Sequence, residues 1–114
     1  MSVRVEKNKG VWTIIHARPE SRNAMDPKSA DHLTDAFLEF NEDEDGKVAV
    51  FWGEGGAFCA GWDLKFASTL NENDPLKDFD ININEKVSQN SNLMPRGPMG
   101  PSRLSLKKPV IGAI

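Results

Sequence analysis

Residues 48–64, "VAVFWGEGGAFCAGWDL", join an apolar run to a turn that contains four glycines. Residues 48–52 are apolar at consecutive positions, which is typical of a strand covered on both faces in a parallel sheet. The glycines that follow predict a tight turn directly after this strand. A buried strand that leads into a glycine-rich turn indicates a layered α/β fold.

The segments around this stretch complete the α/β pattern. Residues 2–7 and 11–17 predict two strands of a hairpin, because apolar and polar side chains alternate and a turn separates them. Residues 107–114, "KKPVIGAI", predict the start of a second buried strand. Residues 68–92 are polar and asparagine-rich, and we expect them to be helical or partly flexible. The whole chain, 1–114, is interpreted as part of a single domain.

The helix after the hairpin has the clearest local signals. Asp26 is a preferred N-cap residue, and Pro27 fits the first helical position because its missing N–H costs nothing there. The spacing predicts a helix that extends to Glu44 and ends before Gly46. Four apolar side chains fall on one face of it: Ala30, Leu33, Phe37 and Phe40.

Composition excludes several classes of function. The chain has 114 residues and a formal net charge of −3, and it has no basic stripe of the kind that binds nucleic acid. Its apolar runs are too short to span a membrane, and its first residues lack the apolar core of a secretory signal, so a cytoplasmic location is expected. A single cysteine, Cys59, fits a reducing compartment. His16 and His32 have no partner at ligand spacing, so no metal site is expected.

Three mechanisms can use a glycine-rich turn after a strand. A dinucleotide fingerprint starting at Gly53 has Phe58 where its last glycine belongs. A phosphate loop has Trp62 and Asp63 in place of the lysine and the hydroxyl, and a carboxylate there would repel phosphate. An oxyanion hole needs only a backbone N–H aimed at an acyl oxygen, so it places few demands on side chains. The residues weaken the first two mechanisms more than the third but leave the choice open.

Three motifs, in this order and spacing, resemble the enoyl-CoA hydratase/isomerase family, also called crotonases. They are "RPESRNAM" at 18–25, "GEGGAFCAGWDL" at 53–64 and "KKPVIGAI" at 107–114. The resemblance covers essentially the whole chain and is weakest over 68–92. It implies an α/β fold, the crotonase-like ββα spiral, of which this chain is an incomplete, N-terminal portion.

The resemblance also implies which residues meet the substrate. Members of the family bind acyl-CoA thioesters and hold the thioester oxygen with two backbone N–H groups while an enolate forms. The first donor lies between the glycine and the aspartate of the glycine-rich motif, which is Trp62 here. Lys65 is expected near the CoA phosphates, where a cation is favourable. The residues implied in substrate and CoA binding are Arg22, Ala24, Ala60, Asp63, Leu64 and Lys65.

Further expectations follow from the same resemblance. Coenzyme A enters as part of the thioester substrate, and no separate cofactor is expected. The family commonly forms trimers or pairs of trimers, so a homo-oligomer is expected. The second oxyanion donor and the catalytic carboxylates of the family lie past Ile114, so the 114-residue chain alone is expected to be inactive.

Several side chains have an ordinary structural interpretation as well. Asp63 is expected to cap a short helix that follows it. Cys59 is expected to be a small core residue rather than a nucleophile, because apolar neighbours raise the pKa of a thiol. Arg22 fits a phosphate contact and a plain surface charge equally well. Two alternative functions stay open: a non-catalytic crotonase-derived module for acyl-CoA binding or assembly, and a nucleotide-binding α/β half-domain.

Overall fold

The computed structural model describes residues 2–68 and 96–114, which form a four-stranded mixed sheet with one long helix on one face. The strands lie in the order of the chain: β1 (Val3–Asn8), β2 (Val11–His16), β3 (Val48–Gly53) and β4 (Val110–Ala113). The first pair is antiparallel, and the next two pairs are parallel. The predicted hairpin and the two later strands are confirmed. The asparagine-rich segment lies outside the described residues, apart from its first residue.

Helix α1 (Pro27–Glu42) begins where the sequence predicts. The Asp26 carboxylate accepts a hydrogen bond of 2.8 Å from the Ser29 N–H, which satisfies one of the free donors of the first turn. The helix ends two residues earlier than predicted, because Asp43 adopts an extended conformation and turns the chain toward β3. All four predicted core residues of its inner face are buried.

The core lies between α1 and one face of the sheet. Trp12 and Ile14 of β2 and Ala49 of β3 are buried against the helix. The ring of Phe37 meets the ring of Phe51 at 5.3 Å, nearly edge to face. Residues 96–106 extend this core, with Met99, Leu104 and Leu106 packed against it.

The opposite face of the sheet differs from the sequence prediction. Residues 48–52 were expected to be covered on both sides, but Trp52 is 39% exposed and Ile111 is 57% exposed. Side chains alternate along a strand, so these two residues lie on the face away from α1. The described residues cover that face only in part, since Ile15 of β2 is fully buried on it while Trp52 beside it is exposed. None of the described helices is long and apolar enough to cross a membrane.

Candidate functional site

Two motif segments meet beyond the carboxyl ends of β2 and β3. The strands are parallel with His16 opposite Gly53, so the chain leaves both at the same edge of the sheet. Residues 18–26 and residues 53–65, named here the loop–turn assembly, then lie against each other. The open crevice at the carboxyl ends of parallel strands is where α/β proteins place their ligand sites.

A short parallel bridge between Met25 and Trp62 joins the two segments. The Met25 N–H donates to the Gly61 carbonyl at 2.7 Å, and the Asp63 N–H donates to the Met25 carbonyl at 2.8 Å. The two hydrogen bonds of the bridge are therefore made by Gly61 and Asp63, the residues on either side of Trp62. The N–H of Trp62 itself therefore points away from Met25.

The Trp62 N–H donates no hydrogen bond to any residue within 2–68 or 96–114. Its peptide group is nonetheless held in place, because both neighbouring residues are fixed to Met25. The indole ring packs on the core and meets the Phe66 ring at 6.4 Å. An unused donor on a fixed peptide is the geometry that an oxyanion hole requires.

Asn23 fixes the loop to the turn. It is fully buried, and its amide nitrogen donates to the carbonyls of Glu54 at 2.8 Å and Ala57 at 2.7 Å. Its amide oxygen accepts from the Arg18 N–H at 2.6 Å. The backbone of Asn23 has a φ of 57°, a left-handed conformation that asparagine tolerates better than most residues.

Arg18 joins three parts of the same assembly. Its guanidinium donates to the Asp63 carboxylate at 2.9 Å and to the Ala24 carbonyl at 2.6 Å, and it lies 3.6 Å from the Asp26 carboxylate. The hydrogen bond from Arg18 is the main reason that the pKa of Asp63 lies below its usual value. A charge-assisted bond of this length is stronger than a neutral one. Arg18 therefore fixes the residue that follows Trp62.

Asp63 also caps helix α2 (Leu64–Ala67), as the sequence predicts. Its carboxylate accepts hydrogen bonds from the N–H groups of Lys65 at 2.9 Å and Phe66 at 3.2 Å. One carboxylate thus holds Arg18 and the first turn of α2 together. Its side chain acts within the protein and fixes the peptide chain beside Trp62.

Backbone geometry explains why two positions of the turn are occupied by glycine. A Cβ atom on Gly53 would lie 2.5 Å from the Phe58 carbonyl oxygen, so only glycine lets the turn fold back on the strand. Gly61 has a φ of 98°, a conformation that other residues rarely adopt. The glycines therefore shape the turn that presents Trp62.

The remaining predicted residues occupy different surroundings. Ala60, Leu64 and Lys65 are exposed beside Trp62, and Leu64 keeps 81% of its surface accessible. Arg22 is exposed at the end of the short 3₁₀ helix Pro19–Ser21. Ala24 is buried, and its carbonyl already accepts a hydrogen bond from Arg18. The exposed members are directly accessible to a ligand, whereas Ala24 is only 8% exposed.

A cavity of about 340 Å³ lies next to the assembly, between α1, the sheet and residues 99–106. Its walls are largely apolar and include Met25, Phe37 and Phe51. His16 and Cys59 also line it. Cys59 is half-buried, and its sulfur accepts a weak hydrogen bond from the Gly61 N–H at 3.4 Å. Within the described ranges, no group of three or more His, Cys, Asp or Glu residues is placed to hold a metal ion.

Sequence reasoning did not identify Arg18, Asn23 or His16 as parts of the site. Arg18 and Asn23 lie inside the motif at 18–25, yet their partners are 31 to 45 residues further along the chain. A usable signal was an asparagine just before a helix N-cap, in a loop that must turn sharply. For His16 the signal was a polar residue on the strand face that otherwise carries Trp12 and Ile14.

Comparisons with known proteins agree with these motifs. Residues 6–93 match the family model described as Enoyl-CoA hydratase/isomerase. A carnitinyl-CoA dehydratase from Salmonella arizonae is 32% identical over 115 residues, which cover 99% of this chain and 38% of that protein. The enoyl-CoA hydratase EchA19 from Mycobacterium tuberculosis is 29% identical over 117 residues, covering 96% of this chain and 37% of that protein. The chain therefore spans well under half the length of these relatives.

Solved structures show the same fold. The crystal structure of an enoyl-CoA hydratase from Mycobacterium tuberculosis H37Rv superposes with a TM-score of 0.73 at 28% identity. The match covers 99% of this chain and 37% of that chain. The enoyl-CoA hydratase EchA1 from Mycobacterium marinum gives the same values. The predicted crotonase-like fold, present as a partial fold, is confirmed.

Proposed function

Because this chain belongs to the enoyl-CoA hydratase/isomerase family, we propose that it contributes the first half of an oxyanion hole to an enzyme of acyl-CoA metabolism. The reaction is the hydration of a 2-enoyl-CoA, or an isomerisation that passes through the same kind of enolate. The observation that carries the proposal is the unused N–H of Trp62 on a peptide that is fixed on both sides.

The chemistry explains why a fixed amide is useful. When water adds to the β-carbon of an enoyl thioester, negative charge develops on the thioester oxygen before the α-carbon takes up a proton. A donor already aimed at that oxygen stabilises the charge without reorganising. Arg18, Asn23 and Asp63 act as positioning residues in this proposal, because they hold the loop–turn assembly that presents Trp62.

The CoA part of the substrate is assigned to the exposed surface beside Trp62. Lys65 is exposed there and offers a cation to the phosphates, and Leu64 offers an apolar surface to the adenine. Arg22, Ala24, Ala60 and Asp63 complete the proposed binding residues. CoA arrives as part of the substrate. The enzyme is proposed to be cytoplasmic, as the sequence leads us to expect, and a homo-oligomer, as the resemblance implies.

The test is a pair of substitutions at Trp62 in the complete protein. Trp62→Pro removes the amide hydrogen, and we expect kcat to fall by about 10²–10³, the loss typical of one oxyanion donor. Trp62→Phe keeps the amide, and we expect a change of only a few-fold. The hydration of a short 2-enoyl-CoA, followed by the loss of enoyl absorbance, measures both.

The controls are circular dichroism and binding of CoA itself, which should stay close to wild type in both variants. Equal losses in the two variants would contradict the role of the backbone N–H. Acyl-CoA binding by a wild-type protein that shows no turnover would favour the non-catalytic binding module instead.

A further inference from the structure

His16 is a buried polar residue whose side chain has a nitrogen without a hydrogen-bond partner in the described part of the fold. It is the last residue of β2, only 1% of its surface is exposed, and it lines the cavity next to the loop–turn assembly. Its Nε2 atom has no hydrogen-bond partner among residues 2–68 and 96–114. A buried polar group without a partner is unfavourable, so proteins rarely keep one without a reason.

The cavity has the character of a small-molecule pocket. Its volume of about 340 Å³ lies at the lower end of the range for ligand pockets, and most of its walls are apolar. Apart from His16, the polar side chains that the described residues contribute to its walls are Cys59 and Ser102. The walls therefore fit an apolar group with very few polar atoms.

The protonation state of the His16 imidazole determines which polar group of a ligand can pair with it in the cavity. Burial lowers the pKa of His16, and the nearby Arg18 charge lowers it further, while Asp26 and Glu20 act in the opposite direction with smaller effect. The ring is therefore neutral near pH 7, with one nitrogen a donor and the other an acceptor. A hydroxyl group can pair with Nε2 in either tautomer. No lysine or arginine is among the described residues that line the cavity, so a carboxylate would have no direct cationic partner there, and a pure hydrocarbon would leave Nε2 unpaired.

We propose that this cavity binds an uncharged acyl chain that carries one hydroxyl group, and that this hydroxyl pairs with His16 Nε2. The inference rests on the proposed function, since the chain is the acyl part of the CoA thioester. Cys59 and Met25 line the cavity and lie beside the Trp62 bridge, so an acyl chain held at Trp62 enters between them. Trp62 is not among the described residues that line the cavity. The hydroxyl that pairs with His16 is therefore a different group from the thioester oxygen that the Trp62 N–H holds.

The experiment compares matched thioesters on the complete protein. The ligands are octanoyl-CoA and hydroxyoctanoyl-CoA isomers with the hydroxyl on each carbon from the fourth to the eighth, and calorimetry gives each Kd. We expect at least one isomer to bind about tenfold more tightly than octanoyl-CoA, because it removes an unpaired buried group. In His16→Leu this preference should disappear or reverse. In His16→Gln, whose side-chain amide can reach a similar position, part of it should return.

A second readout does not depend on a variant that folds. In the wild-type protein the ¹⁵N resonance of His16 Nε2 should shift with the preferred hydroxy isomer and stay unchanged with octanoyl-CoA. If octanoyl-CoA binds and no isomer is preferred, or if His16→Leu keeps the preference, the role of His16 is wrong while the proposed function stands. If no acyl-CoA binds, the proposed function fails, and the inference fails with it.

Discussion

The loop–turn assembly and the β4 side of the sheet use opposite physical strategies. In the assembly, buried polar groups such as Asn23 and Asp63 meet several partners each, at distances between 2.6 and 3.2 Å. At β4, by contrast, Val110 and Ile111 expose 38% and 57% of their surface. The side chains of Asn23 and Asp63 are paired within the described residues, whereas β4 presents apolar surface that these residues leave partly exposed.

The two regions therefore differ in what they determine: hydrogen bonds set the orientation of a group, whereas apolar burial sets how strongly surfaces associate. Hydrogen bonds are directional, so the assembly can fix the Trp62 peptide from a few side chains. Hydrophobic burial has no direction and grows with the area removed from water, so the open face depends on what packs against it. The orientation of the Trp62 peptide is therefore fixed by hydrogen bonds within the described residues, whereas the apolar surfaces depend on further contacts.

Asn23 gives the largest expected effect, because it ties both halves of the assembly together. Asn23→Gly keeps the freedom for a φ of 57° but removes three side-chain hydrogen bonds and leaves two partly buried carbonyls without this donor. We expect the free energy of unfolding to fall by roughly 3 kcal/mol or more. Urea unfolding of the complete protein measures this loss.

Arg22→Gly is the matched control for that substitution. Arg22 is the neighbouring residue, has a φ of 54°, and is exposed. Glycine relieves the same backbone conformation there without removing a buried side chain, so stability should change by less than about 1 kcal/mol. Equal losses for the two variants would mean that the side chain of Asn23 does not hold the assembly.

Local patterns predicted much of the fold but little of the assembly. The inner face of α1 and the N-cap at Asp26 depend on residues within a few positions, so spacing alone was sufficient. The contact from Arg18 to Asp63 spans 45 residues, and no local pattern encodes it. The exposure of Ile111 was missed for a similar reason, because an apolar strand shows that burial is favourable but not what provides it.

Acid tests the His16 cavity and the loop–turn assembly at different pH. His16 has a lowered pKa, so its neutral form favours the fold, and stability is lost as the pH falls below about 6.5, where the unfolded chain takes up a proton. Asp63 also has a lowered pKa, caused mainly by its hydrogen bond from Arg18. Its stabilising effect is present above its unfolded pKa of about 3.9 and is lost as the pH falls through its folded value. We therefore expect two separate phases of destabilisation.

The loss of stability that begins at about pH 6.5 can be assigned to His16 by substitution. One proton limits its slope to about 1.4 kcal/mol per pH unit, and His16→Leu should abolish it while leaving the phase below pH 4 in place. Urea unfolding between pH 4 and pH 7 measures the slope. A first phase of the same size in His16→Leu would assign it to another group, and the lowered pKa of His16 would then have no effect on stability.

The smallest expected change in stability concerns the edge strand. Exposed, apolar edge strands promote pairing with another chain, and charged residues on an edge oppose this. The outer strand at the other side of the sheet, β1, already carries Arg4 and Glu6 on the open face. Ile111→Lys places a charge on the same face at β4, and as a surface change it should alter the free energy of unfolding by no more than about 0.5 kcal/mol.

Its effect should appear in association instead. The 114-residue chain is expected to sediment as species heavier than 12.6 kDa, and Ile111→Lys should move it toward the monomer. Glu6→Lys, a charge change on the same face of the opposite edge, should leave the sedimentation unchanged. If the wild-type chain is already a monomer, or if both variants behave alike, apolar surface at β4 does not drive association. The open face would then be stable in water, and the contrast with the loop–turn assembly would not depend on a missing partner.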